Sequence, residues 1–461
     1  MKAPAHTRIT PGILHQEDCW SAGLYCSSAQ QIFSGGISRK AIGEIGNCLE
    51  GWRVSTQSWT NTYDRRIEET PIYRQANLDC MKFRLDPEHW EKPTMEEEWC
   101  VQPGDVVLNK IPPVRAAVVT FRLPRHPVDA NCILIRGVQS PFGVWVAFCL
   151  NQKPYEAYLV QRQGSAILPR VSLRVLSNMH IPLPTVEEAS VLQGNVWDWN
   201  DEILDNHESL VRLLGEVEAY MAEEHKQLDE SEAVSSDSLS TGRFFPGESI
   251  DDSLLPTHVQ LSHRLHQLKH QLGWVSLAKL LSADEIPRSR LHGDVPQRGY
   301  YLRLSDIGTD LSFSQPEETE SERLSHMFYR VFREPLTPGE VLLSTLVSHP
   351  RVAFIDEAPS TKIYVTDHLE RLRFRETPGA WALVLNTTAI RTQLKGMAIG
   401  TVQQFTYPAN IPRLTVPNVP LELRQRWEKL LRRHHQRQRE LNERWQVIWN
   451  DAQTLFEEVH K

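Results

Sequence analysis

Ile181-Pro182-Leu183-Pro184 and the heptads behind it, Leu192, Val196, Trp199, Ile203, Leu210, Leu213, Val217 and Tyr220, are the stretch on which the fold turns. The apolar residues recur at alternating steps of three and four, and Asn206 fills the one polar slot in the series. A seam sustained this long predicts a coiled-coil helix rather than an ordinary amphipathic one. Pro182 and Pro184 fix φ and lack a donor, so the helix starts only after them. Its outer faces are acidic, with Glu187, Glu188, Asp198, Asp201, Glu202, Asp205 and Glu208 in the first half alone.

A second seam closes the chain: Leu423, Trp427, Leu430, His434, Leu441, Trp445, Ile448, Ala452, Leu455 and Val459. Its first half is basic, and the His434-His435 pair reads as a solvated edge of the seam rather than a ligand pair. The segment before the first helix returns, diverged, before the second. Gly104-Asp105-Val106-Val107-Leu108 is matched by Gly339-Glu340-Val341-Leu342-Leu343 at an offset of 235. Arg115-Ala116-Ala117-Val118 is matched by Arg351-Val352-Ala353-Phe354, and Gly143-Val144-Trp145 by Gly379-Ala380-Trp381, both at 236. Gly164-Ser165-Ala166-Ile167 is matched by Gly396-Met397-Ala398-Ile399 at 232, and Pro184-Thr185-Val186 by Pro417-Asn418-Val419 at 233. Blocks kept in one order with so little drift mark an internal repeat. Gly104, Gly339, Gly164 and Gly396 read as turn residues with positive φ, and Trp145 and Trp381 as core.

The expected architecture is α+β: two repeated modules related by a pseudo-twofold and joined by two long antiparallel coiled-coil helices. The boundaries fall at 1–184 for the first module, 185–228 for the first helix, 229–260 for an acidic flexible linker, 261–418 for the second module and 419–461 for the second helix. Within the first module, Val106-Leu108, Arg115-Val119 and Cys132-Ile135 read as buried strands, Ile72-Arg74 as a strand leading into a turn, and Val144-Leu150 as a short helix. Phe33 to Lys40 reads as a Gly-rich loop with a basic end, and Leu261, Leu265, Leu268 and Leu272 have helical spacing.

The net charge of −8 over 461 residues becomes informative once divided. Residues 1–184 carry +3, residues 185–260 carry −15, residues 261–418 carry +2 and residues 419–461 carry +2. The acidity is thus confined to the first helix and its trailing linker, and overall charge does not speak against a nucleic-acid partner. The seven cysteines all lie between Cys19 and Cys149 without a C-x-x-C. That pattern fits reduced thiols in a cytoplasm better than a disulfide framework or a zinc site. No apolar run is long enough for a membrane span. Catalytic signatures are lacking: there is no Walker loop, no G-x-G-x-x-G, no G-x-S-x-G elbow, no H-E-x-x-H and no Asn/Asp-Pro-Pro-aromatic tetrapeptide. Catalysis is not expected of this chain, and no metal site is expected in it.

The motifs Tyr301-Leu302-Arg303-Leu304-Ser305-Asp306-Ile307, Val101-Gln102-Pro103-Gly104-Asp105-Val106-Val107, Gly164-Ser165-Ala166-Ile167 and Ile181-Pro182-Leu183-Pro184, with the duplication and the long helices, resemble the specificity subunit of type I restriction-modification systems. The resemblance covers nearly the whole chain. It implies a non-catalytic subunit with two target-recognition domains, each reading one half of a bipartite site in double-stranded DNA, with the helices setting the gap. It also implies two adenine-N6 methyltransferase partners, which carry S-adenosylmethionine, and in a full complex ATP- and Mg-dependent restriction subunits. Glu340 in place of Asp after the second glycine, Leu414-Thr415-Val416-Pro417 in place of Ile-Pro-x-Pro and the acidic linker depart from the pattern. They suggest a divergent member serving a type I-like or other methylation-based phage-defence complex.

For DNA contact the expected residues are Arg39, Lys40, Arg65, Arg66, Arg74 and Arg115 in the first module. In the second they are Arg288, Arg290, Arg298, Arg351, Arg371, Arg373 and Arg375. Arginine forks onto guanine edges and phosphates, whereas an exposed arginine can equally serve solubility alone. Arg115 and Arg351 recur at one place in both copies, which a salt bridge belonging to the fold explains equally well. The competing expectation is a structural adaptor that keeps the fold without reading bases.

Overall fold

The computed structural model describes residues 39–51, 72–83, 100–161, 170–232, 273–282, 288–290, 296–320, 330–347, 350–398 and 404–459. Helices and strands are mixed, an α+β fold. The chain divides into two compact units. The first combines Met1–Asp205 with Arg439–Lys461, and the second is Asn206–Gln438. The division cuts through both long helices, so each unit owns one part of each. The expected boundaries treated the helices as pieces apart.

In the first unit the chain runs through β1 (Arg39–Ala41), α1 (Ile42–Ile45), β2 (Asn47–Glu50), β3 (Val106–Asn109), β4 (Ala116–Val118), β5 (Cys132–Arg136), α2 (Phe142–Leu150), α3 (Lys153–Gln161), α4 (Leu173–Ser177) and β6 (His180–Pro182). The long helix α5 (Val186–Glu232) follows. Arg39-Lys40, expected in a loop, form a strand: β1 pairs antiparallel with β6. A four-stranded antiparallel sheet has the order β2-β5-β3-β4. Its strands alternate between two cores, as a pleat of period two requires. Val106, Leu108, Ile133 and Ile135 face α2 and the long helices, while Val107, Ala117 and Leu134 face Tyr73, Phe83 and Val101. Helix α2, apolar around its circumference, is buried from Gly143 to Leu150, as a helix without a polar face must be. Ile72-Arg74, expected as a strand, makes a single bridge at Tyr73 and passes into a one-turn 3-10 helix over Gln75–Asn77.

Helix α5 starts where the prolines allow it. Thr185 and Glu188 form a capping box: the Thr185 amide donates to Glu188 Oε2 at 2.8 Å and the Glu188 amide to Thr185 Oγ1 at 3.3 Å. Trp145 Nε1 donates to Pro182 O at 2.7 Å, which fixes the entry of the helix on the core.

The second unit contains β7 (Val275–Ser276), β8 (Arg288–Arg290), β9 (Arg298–Leu302), β10 (Glu318–Glu320), β11 (Arg330–Phe332), β12 (Glu340–Ser344), β13 (Val352–Phe354), β14 (Ile363–Val365), β15 (Leu369–Arg373), α6 (Pro378–Leu385), α7 (Thr388–Gly396), β16 (Thr415–Val416) and the long helix α8 (Leu421–Val459), whose last part belongs to the first unit. Strand β12 lies between β13 and β15. It again alternates between two cores, with Val341 and Leu343 on one side and Leu342 on the other. Gly396 ends α7 and is not the expected positive-φ turn.

Several bonds recur 235 or 236 residues apart. Gly104 (φ +88) donates its amide to Val119 O at 2.8 Å, and Gly339 (φ +87) to Ile355 O at 2.7 Å. Lys40 lies opposite Ile181 in the β1–β6 ribbon, as Val275 lies opposite Val416 in β7–β16. The Ile42 amide donates to Met179 O and the Leu277 amide to Leu414 O.

In the helices one pair of contacts, Trp199 with Leu441 and His434 with Asn206, keeps the 235-residue spacing. In the first unit Trp199 Nε1 donates to Leu441 O at 2.7 Å, its ring lies 4.4 Å from that of Trp445, and Arg444 pairs with Glu202. In the second, His434 Nδ1 lies 3.1 Å from Asn206 O, Trp427 Nε1 donates to Glu216 Oε1 at 2.9 Å, and Arg426 pairs with Glu216. Asn206, the polar slot, is buried and donates to Gln438 Oε1 at 3.2 Å. Within the second unit, pairings that climb α5 from Asn206 to Tyr220 descend α8 from Gln438 to Trp427, so the two segments are antiparallel.

Leu192, Val196, Trp199, Ile203, Leu210, Leu213, Val217, Trp427, Leu441, Trp445 and Ile448 are buried as expected, and Leu423 is half-buried. Three positions differ. Leu430 is 38% exposed and Leu431 is fully buried, because the seam advances from Trp427 by four, as it does from Leu192 to Val196. Leu455 is half-buried and Phe456 takes the core position beside Trp145. His434 and His435 are both buried, not solvated. Helix α5 runs to Glu232, past the expected linker start. The rest of that linker, the Leu261–Leu272 pattern, Phe33–Ser38 and the Gly164-Ile167 block lie outside the described residues.

Candidate nucleic-acid interface

The acidic residue after each turn glycine is drawn inward by arginine on the neighbouring strand. In the first unit Arg136, at the end of β5, donates to Asp105 Oδ2 through Nη2 at 3.1 Å and to Cys100 O at 2.7 Å. Burial pushes the Asp105 carboxyl up, and the Arg136 and Gln102 donors only partly reverse this. In the second unit Glu340 sits opposite Arg373 in the β12–β15 register. It accepts from Arg373 Nε at 2.8 Å and from Arg371 Nε and Nη2 at 2.9 and 2.6 Å. Arg371 also donates to Pro335 O at 3.0 Å.

Arg371 therefore leaves the set of DNA-facing candidates. Its side chain is fully buried, and a guanidinium committed to a buried carboxylate cannot fork onto a base. Burial pulls its pKa down while Glu340 opposes the shift. For Arg373 burial is outweighed by Glu334 and Glu340, which hold the pKa up. Its side chain keeps 26% exposure at the rim.

The remaining candidates are scattered. Lys40 is exposed and carries no ion pair among the described residues, while Arg39 beside it is half-buried. Arg74 is exposed, and its amide caps the turn by donating to Asn77 Oδ1 at 2.9 Å. The same cap recurs in the second unit, where the Arg303 amide donates to Asp306 Oδ2 at 2.7 Å. Arg303, part of the Tyr301–Ile307 motif, is not in the expected DNA-contact set, although the Arg-x-x-Asn and Arg-x-x-Asp spacings match it to Arg74. Arg115 and Arg351 are half-buried, and Arg115 Nη1 donates to Val114 O at 3.1 Å. Arg298 pairs with Glu318 at 3.1 Å, and exposed Arg375 donates through Nε to Leu281 O at 3.0 Å. Arg288 and Arg290 lie in β8 with side chains outside the described set, as Arg65 and Arg66 lie wholly outside it.

A second polar cluster lies beneath α8 in the second unit. Asp310 accepts from Ser312 Oγ at 2.7 Å, His435 Nε2 lies 3.3 Å from Asp310 O, and His435 Nδ1 lies 3.7 Å from Asp356 Oδ1. Burial drives the His434 pKa down to about 4 despite nearby Asp310, and His435 and His207 push it the same way. Burial raises the Asp310 carboxyl, but Ser312 and the three imidazoles outweigh it and leave it below its ordinary value. Among the described residues no group of His, Cys, Asp and Glu is placed to hold a metal, and no helix is long and apolar enough to cross a membrane.

No protein-family model matches the chain. No curated protein matches it either. Solved structures that it resembles include type I restriction-modification proteins. An HsdS subunit from Thermoanaerobacter tengcongensis aligns at 15% identity over 92% of this chain and 97% of that one, with a TM-score of 0.26. The S subunit of a type I system from M. genitalium aligns at 12% identity over 92% and 97%, with a TM-score of 0.36. A structure concerned with complex assembly and conformational transition of the type I system aligns at 15% identity over 91% and 97%, with a TM-score of 0.24.

Proposed function

We propose that the chain is a non-catalytic, sequence-specific DNA-binding subunit of a type I-like restriction-modification or other methylation-based defence complex. In this reading two repeated target-recognition domains each read half of a bipartite site, the long helices hold the readers in register, and adenine-N6 methyltransferase subunits dock on the assembly. The observation that carries it is the pair of reciprocal helix bonds, Trp199 to Leu441 and His434 to Asn206, 235 residues apart at both ends. A chain duplicated down to single hydrogen bonds presents two versions of one surface, and two related readers suit two half-sites. The test is a methylome of cells with and without this chain. A bipartite adenine motif that vanishes with the chain supports the reading, and one that persists without it ends the reading.

A structural adaptor is the second reading. It is favoured by the candidate arginines already engaged by carboxylates, Arg298 with Glu318 and Arg371 and Arg373 with Glu340. A reader binds its own site orders of magnitude more tightly than random duplex, whereas an adaptor binds all sequences alike.

A further inference from the structure

The reciprocal bonds fix which residues of the two long helices are equivalent, and over equivalent stretches the two helices carry opposite net charge. Residues 187–203 of α5 hold five acidic residues and no lysine or arginine, while residues 422–438 of α8 hold six lysines and arginines against two glutamates. Glu187, Val191, Gly194 and Asp198 form one stripe in the first unit, all exposed, with Val191 at 65%. Their counterparts are Glu422, Arg426, Lys429 and Arg433, also exposed.

In the second unit this face borders an open groove of about 640 Å³ lined by Thr377, Gln425, Glu428, Lys429, Arg432 and Arg433, among others. Glu428 is already spent there: it accepts from the Gly379 amide at 3.2 Å and from Arg432 at 2.7 Å. Lys429 and Arg433 have no ion-pair partner among the described residues, and like charges four apart on a helix repel each other. Leu430 stands 38% exposed beside them. In the first unit Glu187 and Asp198 likewise have no cation partner among the described residues.

We infer that the acidic α5 face of one copy docks on the basic α8 face of a second copy, so that the protein self-associates head to tail. Each face supplies what the other lacks: unpaired charge of opposite sign flanking exposed apolar side chains. Because the two partners are different faces, the contact is heterologous and propagates beyond two copies.

Sedimentation velocity of the full chain tests this. At low salt the sedimentation coefficient should climb with concentration, and at several hundred millimolar salt it should fall back to that of one copy, since screening acts on exposed charges. K429E/R433E and E187K/D198K change exposed side chains without partners. Each variant should remain a single copy at low salt with an unchanged circular dichroism spectrum. Mixed in equal amounts, they should recover association that grows with concentration, because the surviving native faces complement each other and so do the two reversed ones. A wild-type chain that stays single at every concentration overturns the inference, as does association that survives in either variant. A single-copy wild type whose binding of random duplex DNA disappears in K429E/R433E also overturns it, and gives the basic face to nucleic acid instead.

Discussion

Glu340 is held by two arginines, one of them fully buried, so replacing it has a larger effect than its lone charge suggests. Glu340→Gln strands Arg371 in a dry site, for which a loss of about 3–5 kcal/mol is expected. Asp105→Asn in the first unit should cost less, about 1–3 kcal/mol, because Arg136 keeps 21% exposure and its bond to Cys100 O. Urea unfolding of the two variants reads the difference, and equal losses would contradict the account. His434 gives a pH dependence. Its folded pKa near 4 lies below the ordinary imidazole value of 6.5, so between these limits the unfolded chain binds the extra proton. The contribution is complete above pH 6.5 and is lost as pH falls toward 4, on the order of 3 kcal/mol in all. His434→Gln should flatten the fall in urea midpoint across that window. At the surface, Lys40→Ala should lower the slope of log affinity against log salt by about one on DNA if Lys40 meets a phosphate. Residue chemistry was the least legible part of the sequence. An arginine at a strand end looks the same whether it faces solvent or a carboxylate, and Arg371 is told from Arg375 only by Glu340 beside it and by the end of β15 at Arg373.

At the scale of elements the sequence was far more open, because periodicity is a direct imprint of burial. Strands β3 and β5, helix α2 and most of both seams stand where apolar runs placed them. The exception is instructive. From Trp427 a step of three reaches Leu430 and a step of four reaches Leu431, and both are leucine. The order of steps in α5, where Leu192, Val196 and Trp199 advance by four and then three, selects Leu431. Leu431→Ala should therefore cost about 2–5 kcal/mol and Leu430→Ala less than about 0.5 kcal/mol. If thermal melts ranked them the other way, the register of α8 would be wrong. The turn glycines form a second matched pair. Gly104→Ala and Gly339→Ala both place a Cβ at φ near +88 and +87, with nothing within 4 Å to clash. Each should lose about 1–2 kcal/mol from backbone conformation alone.

For the whole molecule, the proposed role of the long helices as a spacer makes a prediction that no single residue carries. Removing four residues from both α5 and α8 shortens each by about 6 Å. That should reduce the preferred gap of a bipartite site by roughly one to two base pairs of ~3.4 Å, with the half-sites unchanged. Methylome mapping of the paired deletion decides it: altered half-sites with a constant gap would rule the spacer out. The division at Asp205 and Arg439 has a different consequence, which concerns the order of events during synthesis. The second unit is one continuous segment, complete once Gln438 has been made, whereas the first needs Leu441, Trp445, Ile448, Ala452 and Phe456 for its core. Domains made on the ribosome ordinarily fold from the N-terminus onward. Here the residues of the first unit made before Asp205 must wait for those made after Arg439. Until then the apolar face of Val196, Trp199 and Ile203 lacks its cover, and the nascent chain offers chaperones a target while the whole of the second unit is being made.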